Sequence, residues 1–141
     1  MTIPTWLNLD SSVFTRKLGL ELTDITPTRA TGRCPVEGNT QVFGQWHGGA
    51  TCAVAETLAS VAALAEVGPQ GQVVGLELNA SHLRAATDGW VTGTATAVRI
   101  GGRVAVYDVR LTHDGDVGDD ALIAVARVTV MLRRARNTEN V

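Results

Sequence analysis

The stretch Gly48-Gly49-Ala50-Thr51-Cys52-Ala53-Val54-Ala55-Glu56-Thr57-Leu58-Ala59-Ser60-Val61-Ala62-Ala63-Leu64-Ala65-Glu66 decides the fold. It is rich in Ala and Leu and free of Pro, and Val54, Leu58, Val61 and Ala65 recur at helical spacing. Cys52, Ala55, Ala59 and Ala62 make most of the remaining surface apolar, so Glu56, Thr57 and Ser60 are the only polar residues of its middle. A helix that is apolar nearly all round is a buried one. Gly68-Pro69 ends it.

Working outward, the elements change character on both sides. Upstream, Val13 to Leu18 reads as a short helix, Leu20 to Ile25 as a strand, Thr26-Pro27-Thr28 as a turn and Ala30 to Val36 as the returning strand. Glu37 to Trp46 reads as a loop. Downstream come four strands, Val73 to Arg84, Trp90 to Ile100, Arg103 to Leu111 and Ala121 to Leu132, separated by Gly- and Asp-rich turns. In the second of them Thr92, Thr94 and Thr96 share one face, while Gly93, Ala95 and Ala97 share the other, as in a sheet covered on one side. Two strands, one buried helix and four strands predict an α+β fold, one long helix wrapped by an antiparallel sheet of five to six strands. No repeat or linker divides residues 1–141, which read as one domain, with 134–141 as a frayed polar tail.

Composition narrows the function. Of 141 residues 45% are apolar and 18% charged, with a net charge of -2, which suits a folded domain with a real core. The interspersed charges give no electrostatic case for nucleic acid or an anionic membrane. No apolar run reads as long enough to span a bilayer, and Met1 to Asp10 lacks the basic start and apolar stretch of a signal peptide, so a cytoplasmic home is expected. Cys34 and Cys52 have no metal-ligand spacing and read as buried free thiols.

Glu56 is the most informative residue. A carboxylate in the middle of a buried helix is costly to ionise unless it is solvated or hydrogen-bonded, so it either does chemistry or lies on an open stripe paired with an arginine. Ser60 sits one turn later on the same face, where it either steadies the carboxylate or simply packs. His47-Gly48-Gly49 opens the helix, where the first amides have no internal partner and carry partial positive charge. Such amides can hold a carbonyl oxygen as it becomes an oxyanion, although glycine also serves merely to permit a tight turn. Gln41, in the preceding loop, offers a side-chain donor. Gly48 and Glu56 lie about 12 Å apart along the axis at 1.5 Å per residue, so one reacting carbon cannot touch both on the same helix. If both act, they come from different chains, with two equivalent sites about a two-fold axis.

The run Gly44-Gln45-Trp46-His47-Gly48-Gly49-Ala50 through Glu56-Thr57-Leu58-Ala59-Ser60 resembles the helix motif of hotdog-fold acyl-CoA thioesterases, in the branch that uses Glu rather than Asp. That branch includes 4-hydroxybenzoyl-CoA and 1,4-dihydroxy-2-naphthoyl-CoA thioesterases, with phenylacetate-pathway thioesterases as more distant relatives. Asn79-Ala80-Ser81-His82-Leu83-Arg84 resembles the family's strand after the helix. The resemblance implies hydrolysis of an aromatic or medium acyl-CoA to free acid and CoA. Glu56 of a partner chain would act as nucleophile or general base, and Gly48 N–H and Gln41 would polarise the carbonyl. It further implies Ser60 near the hydrolytic water, His47 orienting the loop or the carbonyl region, Gly49 and His82 lining the substrate site, Arg84 meeting a CoA phosphate, and Gly102 and Arg103 at the nucleotide end of CoA. It implies a homotetramer of two dimers and no cofactor, CoA being part of the substrate.

Two alternatives stand beside this. Hotdog hydratases and dehydratases also pair a His with an acid on the central helix, but their His lies further away and a Pro-rich loop follows it. Here Gly48-Gly49 follows His47 directly and no proline precedes Glu56. His47, Cys52 and Glu56 match no zinc-ligand pattern. The third reading is a non-catalytic acyl-CoA-binding module.

Overall fold

Ser12 opens the first helix, its hydroxyl accepting from Thr15 N–H at 3.3 Å, and Gly19 closes it in the left-handed region at φ 72°. This helix is α1, Val13–Leu18, in a computed structural model that describes residues 3–136. The remaining elements are β1 Glu21–Ile25, β2 Arg29–Pro35, α2 Gly48–Val67, β3 Gln72–His82, β4 Trp90–Ile100, β5 Val104–His113 and β6 Leu122–Arg133. Two short 3-10 turns, Leu9–Ser11 and Gly118–Ala121, complete the described chain.

The six strands form one antiparallel sheet in the order β1-β2-β4-β5-β6-β3. It wraps α2, the α+β hotdog arrangement that the sequence predicts, with element ends within two residues of the expected ones. β4, β5 and β6 alternate buried and open along their length, as strands do when one face is covered. Tyr107 is fully buried among them, and its hydroxyl donates to the Pro27 carbonyl at 2.8 Å, tying the β1–β2 turn to β5. Burial, together with the nearby Glu66 charge, pushes that phenol up to about 12. Cys34 is a buried free thiol donating to the Leu18 carbonyl, and Cys52 is free and half-buried.

Three sequence expectations change. α2 is not buried all round. The sheet covers Val54, Ala55, Leu58, Ala59, Val61 and Ala62, whereas Glu56 is exposed and Cys52, Ala53, Thr57 and Ser60 are only half-covered. A single curved sheet reaches only part of the way around a cylinder, and the uncovered stripe is where the polar residues fall. α2, with 20 residues and a mean hydropathy of 1.5, is also long and apolar enough to cross a bilayer by composition, contrary to the expectation that no run is. Here half of that window is packed inside the fold. Finally, the tail is anchored at its start, because Arg134 pairs with Glu66 at 3.0 Å and donates to the Gly101 carbonyl at 3.2 Å. Residues 137–141 of the expected tail lie outside the described residues.

Gly93 governs how closely helix and sheet meet. A Cβ there would stand 2.6 Å from Leu58 Cδ1 and 3.1 Å from Val54 Cγ1. A Cβ on Gly102, in the β4–β5 turn, would meet nothing within 4 Å. Gly93→Ala should therefore lower unfolding free energy by about 1–3 kcal/mol through overpacking. Gly102→Ala should change it by less than about 0.5 kcal/mol. Urea denaturation of both variants checks the contrast.

Candidate active site

The start of α2 is the most constrained part of the site. His47 precedes it in extended conformation and occupies most of its free amides. Gly49 N–H donates to His47 Nδ1 at 2.7 Å, while Ala50 and Thr51 N–H donate to the His47 carbonyl at 2.9 and 3.3 Å. Among the described residues, the amide of that turn without a partner is Gly48 N–H. A Cβ on Gly49 would stand 2.9 Å from His47 Nδ1, and a Cβ on Gly48 would stand 3.0 Å from the His82 ring. The two glycines thus make room for two imidazoles. His47 is a helix cap, and Gly49 N–H is engaged by it rather than turned to a ligand.

Gln41 is held by the loop before the helix. Asn39 pins this loop, its side-chain amide donating to the Leu18 and Pro35 carbonyls at 2.7 and 2.8 Å and its carbonyl accepting from His47 N–H at 2.9 Å. Gly44, at φ 75°, then permits the turn in which Gly44 N–H donates to the Gln41 carbonyl at 2.9 Å. Phe43 N–H donates to Gln41 Oε1. A backbone N–H can only donate, so this contact fixes which end of the amide is oxygen and turns the NH₂ group away. One of its hydrogens reaches Gln45 Oε1 at 3.3 Å, which leaves the other available.

Gln41, Gly48, His82 and Arg84 line one cleft of about 400 Å³, so four of the predicted site residues are brought together. Trp46 and Thr51 line it too, joined by a 2.8 Å bond from the indole N–H to the hydroxyl. Sequence periodicity does not reveal them, because Trp46 lies before the helix and Thr51 is one more small residue within it. Arg84 already has partners, donating to the Asp120 carbonyl and pairing with Asp116 at 3.6 Å.

Glu56 and Ser60 lie elsewhere. They share a cavity of about 310 Å³ with Leu7, Leu9, Leu22 and Leu64, where the segment before α1 folds over the open stripe of α2. Neither an ion pair nor a hydrogen bond reaches Glu56 among the described residues, so it lies on an open stripe but without the arginine partner that the alternative to a chemical role supposed. His47 and Gly49 face a third hollow beside Phe14 and Thr40. Gly102 and Arg103 line neither the Gln41 cleft nor the Glu56 cavity; they sit in the β4–β5 turn, where the Arg103 carbonyl accepts from Leu132 N–H at 2.7 Å.

The comparisons with known proteins agree in kind. Residues 43–119 match the family model described as Thioesterase superfamily. The 1,4-dihydroxy-2-naphthoyl-CoA hydrolase of Listeria monocytogenes is 32% identical over 120 residues, spanning 84% of this chain and 94% of its own. A thioesterase of Haemophilus influenzae superposes with a TM-score of 0.81 at 29% identity, covering 94% of this chain and 90% of the other. A thioesterase of Staphylococcus aureus superposes with a TM-score of 0.80 at 28% identity, covering 86% of this chain and 99% of its own. It has been crystallised with alanine in place of a glutamine and, separately, of a glutamate fifteen positions further on. Gln41 and Glu56 have that separation here.

Beside the cleft, His113 at the end of β5 ties two turns together. Its Nδ1 lies 2.8 Å from Asp116 Oδ2 and its Nε2 lies 2.7 Å from the Asp88 carbonyl. The Asp88 carbonyl and then the Asp116 carboxylate raise the imidazole's pKa. A group whose pKa is raised by folding stabilises the fold fully below its unfolded value, about 6.5, and loses that contribution as pH rises through the folded value. The melting temperature of the wild type should exceed that of His113→Gln by most below the ordinary imidazole value of about 6.5, and the gap should narrow as pH rises past it. Thermal melts on both sides of that value check it.

Proposed function

The chain belongs to the thioesterase superfamily and is a thioester hydrolase, and on that footing we propose that it cleaves aromatic or medium acyl-CoA esters at sites shared by two copies of itself. The observation that carries the proposal is the division of labour along α2. Gly48, whose N–H has no partner among the described residues, and Gln41, whose side-chain amide keeps one hydrogen available, line one cleft. The Glu56 carboxylate lies about 12 Å further along the same helix, on the stripe the sheet leaves open.

The chemistry needs little more. Two N–H donors on the carbonyl oxygen stabilise the negative charge that develops there as the carbon becomes tetrahedral. Glu56 of the second copy either attacks that carbon, giving an anhydride that water then opens, or takes a proton from the attacking water. Collapse of the tetrahedral intermediate breaks the C–S bond and releases CoA as its thiolate, which takes up a proton. Ser60, one turn beyond Glu56 in the same cavity, is placed to hold the water. His82, packed on Gly48, lines the acyl-carbonyl region, and Arg84 meets a CoA phosphate. The apolar cavity of about 310 Å³ beside Glu56 suits an aromatic or medium acyl group. The relative acting on a naphthoyl-CoA and the spacing shared with the substituted staphylococcal residues support the same reading.

The sheet edge suggests how two copies meet. Among the described residues β3 pairs only with β6, so its outer edge is open, with Val74 and Leu76 exposed along it and Leu83 just beyond its end. Gly48 lies against His82 near one end of β3 and Glu56 against Gly75 near the other. Antiparallel pairing of two β3 edges, centred between Leu78 and Asn79, would set His82 of one copy beside Gly75 of the next. Each oxyanion cleft would then face the other copy's carboxylate. Association of two such dimers, in a cytoplasmic setting, completes the proposal.

Glu56→Ala should remove thioesterase activity, followed by thiol release from a panel of acyl-CoA esters, while leaving the melting temperature unchanged. Gln41→Ala, which deletes one oxyanion donor, should lower kcat by about 10²–10³. Refolding the two inactive variants together should restore activity, because each mixed dimer holds one intact site. A mixture no more active than its components would rule out the shared site, and wild-type turnover by Glu56→Ala would rule out its catalytic role.

A further inference from the structure

We propose that Gly75 is a positioning residue for the Glu56 carboxylate: having no side chain, it lets that carboxylate lie directly on the backbone of the edge strand and so fixes where the hydrolytic oxygen stands. This rests on the reading of Glu56 as the hydrolytic group. A Cβ built on Gly75 would lie 2.3 Å from Glu56 Oε1, 3.1 Å from its Cδ and 3.6 Å from Oε2. The three atoms nearest to that point all belong to Glu56. The glycine is not required by the backbone, since Gly75 is not among the positive-φ residues. Nor is its space needed by the core, since the position is exposed. It does lie at a break in strand register, between Gly75 and Glu77, where β3 departs from regular pairing with β6. Glu56 itself has no hydrogen bond or ion pair among the described residues, so the bare surface of β3 is what limits its carboxylate on that side.

The consequence separates activity from stability. A methyl group at position 75 meets the mobile end of one exposed side chain, so the fold tolerates it. The carboxylate must nevertheless withdraw by roughly 1 Å to regain ordinary contact distance. A displacement of that size in a reacting group costs about 10²-fold in rate.

A double-mutant cycle tests this with Gly75→Ala, Glu56→Asp and the pair, read with benzoyl-CoA or hexanoyl-CoA, whichever the wild type hydrolyses faster. Glu56→Ala is measured alongside, and wild-type turnover by that variant would fail the catalytic reading itself. With that reading standing, Gly75→Ala should melt within about 2 °C of wild type. Its kcat should fall about 100-fold, and its KM should stay within about threefold. In the Glu56→Asp background, where the carboxylate is one methylene shorter and clear of the added methyl, the same change should alter kcat by less than about threefold. Wild-type kcat in Gly75→Ala, an equal loss in both backgrounds, or a Gly75→Ala protein that does not fold would each overturn the inference.

Discussion

Leu58 and Val54 rest directly on the backbone of β4 because Gly93 has no side chain to hold them away. That contact seats a long apolar helix in a sheet that curves around it, and the curvature stops short of closing. The helix therefore has an inner side, fixed by packing, and an outer stripe available for chemistry. Gly48, Glu56 and Ser60 take their positions from this arrangement. Gly48, with the one open amide of the first turn, lines the cleft at the start of α2, and Glu56 is presented on the stripe at a fixed distance from it. A looser helix–sheet contact would move both together.

Glycines recur where functional side chains have to be seated. Gly49 admits the His47 ring that caps the helix, Gly48 admits His82, and Gly75 admits the Glu56 carboxylate. The cap is selective. By accepting from Gly49 N–H, His47 leaves Gly48 N–H as the open donor, and the Phe43 amide, by donating to Gln41 Oε1, sets which end of that amide is its NH₂. In the proposed site these two donors are fixed by the fold itself, which is the condition under which oxyanion stabilisation is most effective.

Much of this was legible in the sequence. Helical spacing over Gly48–Glu66 and the Gly/Pro stop identified α2, and the alternation of Thr92, Thr94 and Thr96 with Gly93, Ala95 and Ala97 identified the covered face of β4. Glu56 stood out because an acid is costly within an apolar helix. The extent of the open stripe was not legible beyond the possibility that Glu56 lay on one, since periodicity reports which residues are apolar and not how far a sheet extends. Trp46, Thr51 and Gly75 were missed for a related reason. Each matters through what approaches it from another element, and that approach is set by tertiary packing. The placing of Gly102 and Arg103 came from likeness alone, and a single chain gives them no contact with either cleft.

The order of elements has a further cost during synthesis. α2 is made when only β1 and β2 exist to cover it, and four of the six strands follow it in the chain. At roughly 5–20 residues per second, the stretch through β6 takes several more seconds to emerge from the ribosome. Throughout that interval a 20-residue helix with membrane-like hydropathy is without most of its eventual shelter. The polar residues along it, Glu56, Thr57, Ser60 and Glu66, interrupt that surface, so the acid proposed for hydrolysis also makes the unfinished chain more soluble and a poorer substrate for insertion into a bilayer.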